Sequence, residues 1–397
     1  MIEKDSIRKF IFKDELNYIF EKYCVCDTDK DKIFYSIFEN SLDFSKALVL
    51  ADGINDFESL SNKIKKVIKN NKVVGAIGSL FLIQDDLVLP INIKKIVLKN
   101  EKLGILVGAG ISKLINLPLW SELAKSAIEF LRDNHFINYF ECQRILSEIQ
   151  DPKQRLTIFH EFIPKSDSQA EDFYRTIFDK VNNKKKNPYD LLVKFDSIKL
   201  TTNIDNEFYN SLSNRLHELA LTLERGYESS IQREPCIPDI KYKDFSSVDD
   251  INYRTIYNLH GTLDDISTTV LTTKDYINAY FKDVNGLKKF LERVFKEYTI
   301  IFIGYGLEEF PILEHIISGS KDHYALIGEY FNDINLFKMR QKYLKSLSIN
   351  PIRYYLDFYG YDRLYVVLHS WVRQIEEERG RPYYEKIKEL DDVINVE

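Results

Sequence analysis

From about residue 96 onward, short runs of consecutive apolar residues punctuate the chain, each followed by glycines or small polar residues. The clearest are LGILV (103–107), SIKLT (197–201), TIYNL (255–259), TIIFI (299–303), YALIG (324–328) and IRYYL (352–356). Runs this short and this rich in β-branched residues read as strands buried on both faces. Between several of them the apolar positions change to helical spacing, as in WSELAKSAIEFLRDN (120–134), GLKKFLERVFKEY (286–298) and DRLYVVLHSWVRQIEEE (362–378). The alternation predicts the α/β class: a Rossmann-like, mostly parallel sheet with helices on both faces. The rhythm breaks between about 135 and 190, where polar, helical sequence predicts an insertion packed beside the sheet. The lysine run NNKKKNP (182–188) reads as a solvated loop within it.

Residues 1–95 form a different pattern. DSIRKFIFKDELNYIFEKY (5–23) and FESLSNKIKKVIKNN (57–71) carry amphipathic helical spacing, and VVGAIGSLFLIQDDLVLP (73–90) could hold short strands. The expected organisation is a mainly helical docking or structural segment over 1–95 and one catalytic domain over 96–397. No internal repeat or low-complexity stretch interrupts it.

Composition narrows the function classes. The chain has 397 residues, 44% hydrophobic and 29% charged, which is ample material for a core. Fifty-five Lys and Arg against 61 Asp and Glu give a net charge of -6, which argues against a protein that coats nucleic acid. No apolar run reaches membrane-spanning length, and MIEKD does not begin a signal peptide, so a cytoplasmic protein is expected. The four cysteines, Cys24, Cys26, Cys142 and Cys236, form no pair of C-x-x-C units that could hold a structural zinc, and no metal is expected.

The candidate chemistry lies where the strands end. Gly108-Ala109-Gly110 follows LGILV, Thr202-Asn203-Ile204-Asp205 follows SIKLT, His260-Gly261 follows TIYNL, and Gly304-Tyr305-Gly306-Leu307 follows TIIFI. Each set alone has a bland explanation: glycines mark turns, Asp205 could cap the next helix, and a single histidine is usually a satisfied polar residue. In a parallel sheet, however, these ends line one edge, where ligands bind in open α/β folds. The glycine loop is no Walker motif, since no G-x-x-x-x-G-K-[ST] run is present. It is no dehydrogenase fingerprint either, because Lys113 stands where the third glycine is required. A dinucleotide pyrophosphate on the loop amides remains reasonable.

GAGIS, TTNID, NLHG and IFIGYGL, in that order, resemble the sirtuin-type NAD-binding domain over about residues 100–375. Two departures separate the chain from the protein deacylases of that family. Leu117-Pro118-Leu119-Trp120 replaces their Pro-Asp-Phe-Arg element, and the four-cysteine zinc module is missing. In both respects the chain is similar to the bacterial sirtuin-like branch that hydrolyses NAD+ in antiphage defence by abortive infection. Some members of that branch act with a HerA-type hexameric ATPase or another defence subunit.

The resemblance implies an oligomeric NADase that yields nicotinamide and ADP-ribose. Asn203 is expected to orient water or ribose, and His260 to accept a proton. Asp205 is expected to contact the nicotinamide amide or the ribose. Gly108, Ala109, Gly110, Ile111 and Ser112 are expected to cradle the pyrophosphate. Trp120, Thr202, Gly304, Gly306 and Leu307 complete the expected NAD pocket. A non-catalytic NAD- or ADP-ribose-binding scaffold and an NAD-dependent deacylase are the alternatives. A constitutive NADase would kill its host, and the chain carries no Walker motif, so a partner is expected to supply the trigger.

Overall fold

The computed structural model describes residues 87–99, 101–179, 187–226, 238–248, 250–317, 321–330, 333–356 and 360–380. The helices expected over 5–23 and 57–71, and the lysine run through residue 186, lie outside the described residues. The chain falls into two compact units. One includes Ile91–Ile327, Met339–Ile352 and residues 375–380; the other includes Gly328–Lys338 and Arg353–Gln374.

Helix α1 (Ile91–Leu98) precedes β1 (Leu103–Val107), the one-turn helix α2 (Ala109–Lys113) and α3 (Trp120–Asp133). The insertion follows as α4 (Tyr139–Glu148), α5 (Pro152–Phe162), α6 (Ser168–Phe178) and α7 (Tyr189–Leu192). Then come β2 (Ile198–Thr201), α8 (Glu207–Gly226), β3 (Asp239–Lys241) and β4 (Thr255–Asn258). Helix α9 (Thr273–Tyr276) runs into a π-helical turn (Ile277–Phe281) and is followed by α10 (Leu287–Glu297), β5 (Thr299–Ile303) and α11 (Phe310–Ile317). The last elements are β6 (His323–Glu329), α12 (Ile334–Ser346), β7 (Ile349–Tyr355) and α13 (Arg363–Gly380).

The strands form one seven-stranded sheet in the order β3-β4-β2-β1-β5-β6-β7, parallel in every pairing from β3 to β6. The α/β, Rossmann-like reading is therefore correct. Strands β1, β2, β4 and β5 are buried at every residue, which is why their sequences are continuous apolar runs rather than alternating ones. Because β1 has β2 on one side and β5 on the other, strand order reverses around it. Ligands bind at such a point in open α/β sheets.

Two helices show why the periodic segments fold as they do. In α10 the buried residues are Leu287, Phe290, Leu291, Val294 and Phe295, a single stripe that packs on Leu106, Ile300 and Phe302 of the sheet. In α3 the stripe is Leu123, Ala124, Ala127, Ile128 and Leu131. It faces the insertion, whose Leu156, Phe159, Phe173 and Tyr174 complete a second core together with Ile204 and Ile266 from the loops after β2 and β4. The insertion is thus fastened to the edge of the sheet that carries the candidate residues.

Some boundaries differ from those the sequence suggested. Strand β7 already begins at Ile349; Asn350 and Pro351 within it break the apolar run, which is why the sequence shows it only from Ile352. The edge strand β3 is three residues long and partly exposed, so it leaves no apolar signature. Helix α9 and its π turn also escaped the pattern, being short and set among threonines. Phe159→Ala, which empties the middle of the second core, should cost about 3–5 kcal/mol in equilibrium denaturation.

Candidate functional site

The register Val107↔Ile303 brings the loops after β1 and β5 side by side. Gly108 N–H donates to Ile303 O (3.1 Å), and Gly110 N–H donates to Gly304 O (2.8 Å). A Cβ on Gly110 would lie 2.8 Å from Gly304 O, and one on Gly304, whose φ is +61°, would lie 2.6 Å from Ile111 N. These glycines let two backbones touch. The same contact takes up two loop amides, those of Gly108 and Gly110, that the sequence had offered to a pyrophosphate. Ile111 and Ser112 are buried, Gly306 is exposed, and Leu307 holds φ +55°, a left-handed conformation uncommon outside glycine.

Beside this contact the loop after β2 is pinned by side chains. Thr202 N–H donates to Val107 O (3.1 Å), and Asn203 N–H donates to Thr201 Oγ1 (2.9 Å). Asn203 Nδ2 faces three oxygens: Gly108 O (3.1 Å), Ser112 Oγ (2.8 Å) and Tyr189 Oη (2.8 Å). Because the Gly108 carbonyl can only accept, the amide nitrogen must point that way, and Asn203 Oδ1 is left facing elsewhere. Ser112 Oγ donates to Asp205 Oδ2 (2.7 Å), and Asp205 Oδ1 accepts the N–H of Glu207, the first residue of α8 (3.1 Å). Asp205 therefore caps a helix and also joins this cluster. Burial pushes its carboxyl up to about 6, against the hydrogen bond from Ser112.

The loop after β4 carries His260. Thr201 pairs with Asn258, so Asn203 and His260 stand two residues beyond partners in register. His260 is 0% exposed. Its carbonyl accepts Val270 N–H (3.0 Å), and Gly261 turns the chain at φ +76°. Nε2 lies 2.7 Å from Tyr280 Oη and 3.5 Å from Glu309 Oε2. Tyr276, four residues before Tyr280, donates its hydroxyl to Glu309 Oε1 (3.2 Å). The rings of Tyr276 and Trp120 lie 5.2 and 5.9 Å from the imidazole. Burial lowers the His260 pKa and the Glu309 carboxylate opposes that shift, so the neutral base is the form favoured at neutral pH.

A pattern in the unsatisfied groups ties these clusters together. Thr202 Oγ1, Asn203 Oδ1, Asn258 Oδ1, His260 Nδ1, Tyr305 Oη and Glu309 Oε2 are all buried and make no hydrogen bond. All six lie at or just past the carboxyl ends of β2, β4 and β5. Buried polar atoms without partners are rare in folded proteins and cost about 1–3 kcal/mol each. Their concentration on one sheet edge makes that edge the candidate ligand site. Next to it, a cleft of about 500 Å³ is lined by Leu117, Tyr174, Asp205, Asn206, Glu207 and Asp264, among others. It reaches Asp205 but not His260. Among the described residues, no group of three or more His, Cys, Asp or Glu could hold a metal ion, and no helix is long and apolar enough to cross a membrane.

The structure thus gathers Ser112, Asn203 and Asp205 around Tyr189, and places His260 and Trp120 with Tyr276, Tyr280 and Glu309 on the adjoining strand end. Tyr189, Tyr276, Tyr280 and Glu309 are additions to the residues expected from sequence. The tyrosines stand where hydropathy alone reads core, and Glu309, two residues past Leu307, is an acidic loop residue that reads as solvated.

The fold is an open, Rossmann-like α/β domain whose unpaired polar groups lie near the point where strand order reverses. Residues 197–352 match the family model of the SIR2-like domain, which supports a sirtuin-like family and an NAD-related activity. The match takes in Asn203, Asp205, His260 and Gly304–Leu307, and leaves out the glycine loop after β1. Among curated proteins none matches the chain.

Two outcomes follow for the site. Gly304→Ala, strained in φ and clashing with Ile111 N, should destabilise the fold by about 2 kcal/mol or more, read as a lowered denaturation midpoint. The folded Asp205 carboxyl holds its proton up to about pH 6, whereas the unfolded one does so only near 3.8. Its raised pKa therefore makes stability fall as pH rises through that window. Asp205→Asn should remove this fall, leaving the variant on the order of 1–3 kcal/mol more stable than the parent at about pH 8, a gain that shrinks towards pH 4.

Proposed function

We propose that the protein is an NAD+ glycohydrolase, cleaving NAD+ with water to nicotinamide, ADP-ribose and a proton. The observation that carries this reading is the pair of buried, unpartnered atoms on adjoining strand ends, Asn203 Oδ1 and His260 Nδ1. One can hold a ribose hydroxyl or the attacking water, and the other can take the proton that water loses. Nicotinamide departs as a neutral pyridine, so its departure needs no acid. Positive charge develops on the ribose as the bond stretches, and the Asp205 carboxylate, ionised above about pH 6, would stabilise it. The glycine loop after β1 remains the expected seat of the phosphates. Its share is limited to amides that the β5 loop does not already use.

Full burial of His260 supports a resting form that opens on a trigger. It equally favours a second reading, a scaffold that binds NAD or ADP-ribose without turnover. We read the trigger as a partner protein, a HerA-type ATPase or another defence subunit, and NAD depletion as an antiphage response. That part of the reading rests on the resemblance of the motifs.

Chromatography of nicotinamide released from NAD+, by the chain alone and with a candidate partner, separates the readings. His260→Ala and Asn203→Ala should each lower release by at least about 100-fold, with circular dichroism unchanged. Retention of activity in both variants would falsify the assignment. Binding by calorimetry with no release under any condition would favour the scaffold, and release only with an acetyl-lysine peptide would favour deacylation.

A further inference from the structure

Nothing in the proposed reaction so far uses the acidic side chain packed behind His260. Glu309 belongs to the loop after β5, and its Oε2 is a buried atom without a hydrogen bond, 3.5 Å from His260 Nε2. Its other oxygen accepts the Tyr276 hydroxyl at 3.2 Å, which fixes the carboxylate's orientation. Tyr280 Oη lies closer to Nε2, at 2.7 Å. Tyr276 and Tyr280 are four residues apart across the start of the π-helical turn, so that irregular segment delivers both hydroxyls to one side of the imidazole.

The neutral ring has two tautomers, and this environment distinguishes them. With the proton on Nδ1, the Nε2 lone pair faces an anionic oxygen 3.5 Å away, while a buried N–H on Nδ1 has no acceptor. With the proton on Nε2, the N–H dipole points at Tyr280 Oη and at the carboxylate, and Nδ1 keeps its lone pair free. An unpaired buried donor is the rarer and costlier orphan. The Tyr280 hydroxyl hydrogen can rotate to suit either arrangement.

We infer that Glu309, with Tyr280, is the positioning pair for His260: it holds the proton on Nε2, leaves Nδ1 as the accepting atom, and faces the imidazolium that forms when Nδ1 takes a proton. The inference rests on the proposed hydrolysis for its catalytic meaning, but the tautomer is a property of the folded chain with or without turnover. The charged and titratable groups around the ring come from three elements. Glu309 and Tyr305 belong to the loop after β5, Tyr276 and Tyr280 to α9 and its π turn, and Lys153, whose ammonium lies 4.5 Å over the Tyr276 ring, to α5. Lys153 works against the imidazolium, so Glu309 is the one group in this set whose charge favours it.

The test is nitrogen NMR of the histidine rings in the full chain, with His260→Gln used to assign the signals. At a pH where the ring is neutral, the parent should show Nε2 protonated and Nδ1 bare. Glu309→Gln should weaken that preference and move the titration midpoint of the ring to lower pH. Kinetics of nicotinamide release supply a second readout. Glu309→Gln should lower kcat by at least about tenfold with KM within about threefold, and Glu309→Asp should recover part of the loss. If Glu309→Gln does not fold, Tyr280→Phe and the parent spectrum still decide, since Phe removes the nearer oxygen.

A parent ring protonated on Nδ1 would overturn the inference, as would a Glu309→Gln ring with unchanged tautomer and midpoint. If the parent releases no nicotinamide yet shows the Nε2 tautomer and its dependence on Glu309, the hydrolysis reading fails and the positioning pair stands. The ring signal is needed because Asp205, with its pKa near 6, could produce an acid limb in the rate by itself.

Discussion

Two backbones in contact, Gly108–Gly110 against Gly304, set the positions of nearly everything at the site. The N–H of Gly110 on the carbonyl of Gly304 is possible only because neither residue has a Cβ. That closeness fixes the Gly108 carbonyl, and the carbonyl determines which end of the Asn203 amide turns inward. Ser112, one turn further on, then meets Asn203, Tyr189 and Asp205 together. A one-turn helix would be too short to hold Ser112 in place alone. Its rigidity comes from the strands on either side, β2 and β5, which are hydrogen-bonded to β1 along their length.

The site carries an energetic load that the rest of the sheet must offset. Burial raises the Asp205 carboxyl and lowers the His260 imidazole, so each is pushed towards its neutral form in the same small region. Added to this are the six polar atoms without partners at the ends of β2, β4 and β5. The fold tolerates them because β1, β2, β4 and β5 are buried throughout and backed by the continuous stripe of α10. Functional sites commonly concentrate such unfavourable groups, which are satisfied when a ligand arrives.

How much of this was legible in the sequence depends on the kind of signal. The strands at 103–107 and 299–303 read correctly because both faces are covered and hydropathy records that. The glycine loop after the first read as a phosphate turn, and the structure adds that two of its amides serve the contact with the loop after the second. That contact depends on which strands are neighbours, and linear order does not contain it. Asn203 and His260 stood out because a polar residue directly after a buried strand is conspicuous. Tyr276 and Tyr280 did not, since aromatic residues at i, i+4 usually mark core, and these two are indeed buried. Their hydroxyls are what the hydropathy pattern cannot see. Glu309 was hidden for a different reason: an acidic residue in a loop reads as solvated until the fold shows what lies behind it.

The two polar clusters also differ in what they can contribute. Around Asn203, the Ser112 and Tyr189 hydroxyls and the Asp205 carboxylate are linked by short hydrogen bonds that hold the side chain while leaving its Oδ1 without a partner. The set around His260 is looser in one respect: the carboxylate sits 3.5 Å from Nε2 rather than at hydrogen-bond length. On the proposed reading this division has a physical sense. The half that presents the ribose must not move, because positioning supplies much of the rate. The half that takes the proton must change charge during the reaction, and a ring with one nitrogen bare and the other facing a carboxylate can do so without rebuilding its surroundings. On that reading, one carboxylate after β2 (Asp205) and one after β5 (Glu309) would suit a reaction whose charge is positive first on the sugar and afterwards on the base.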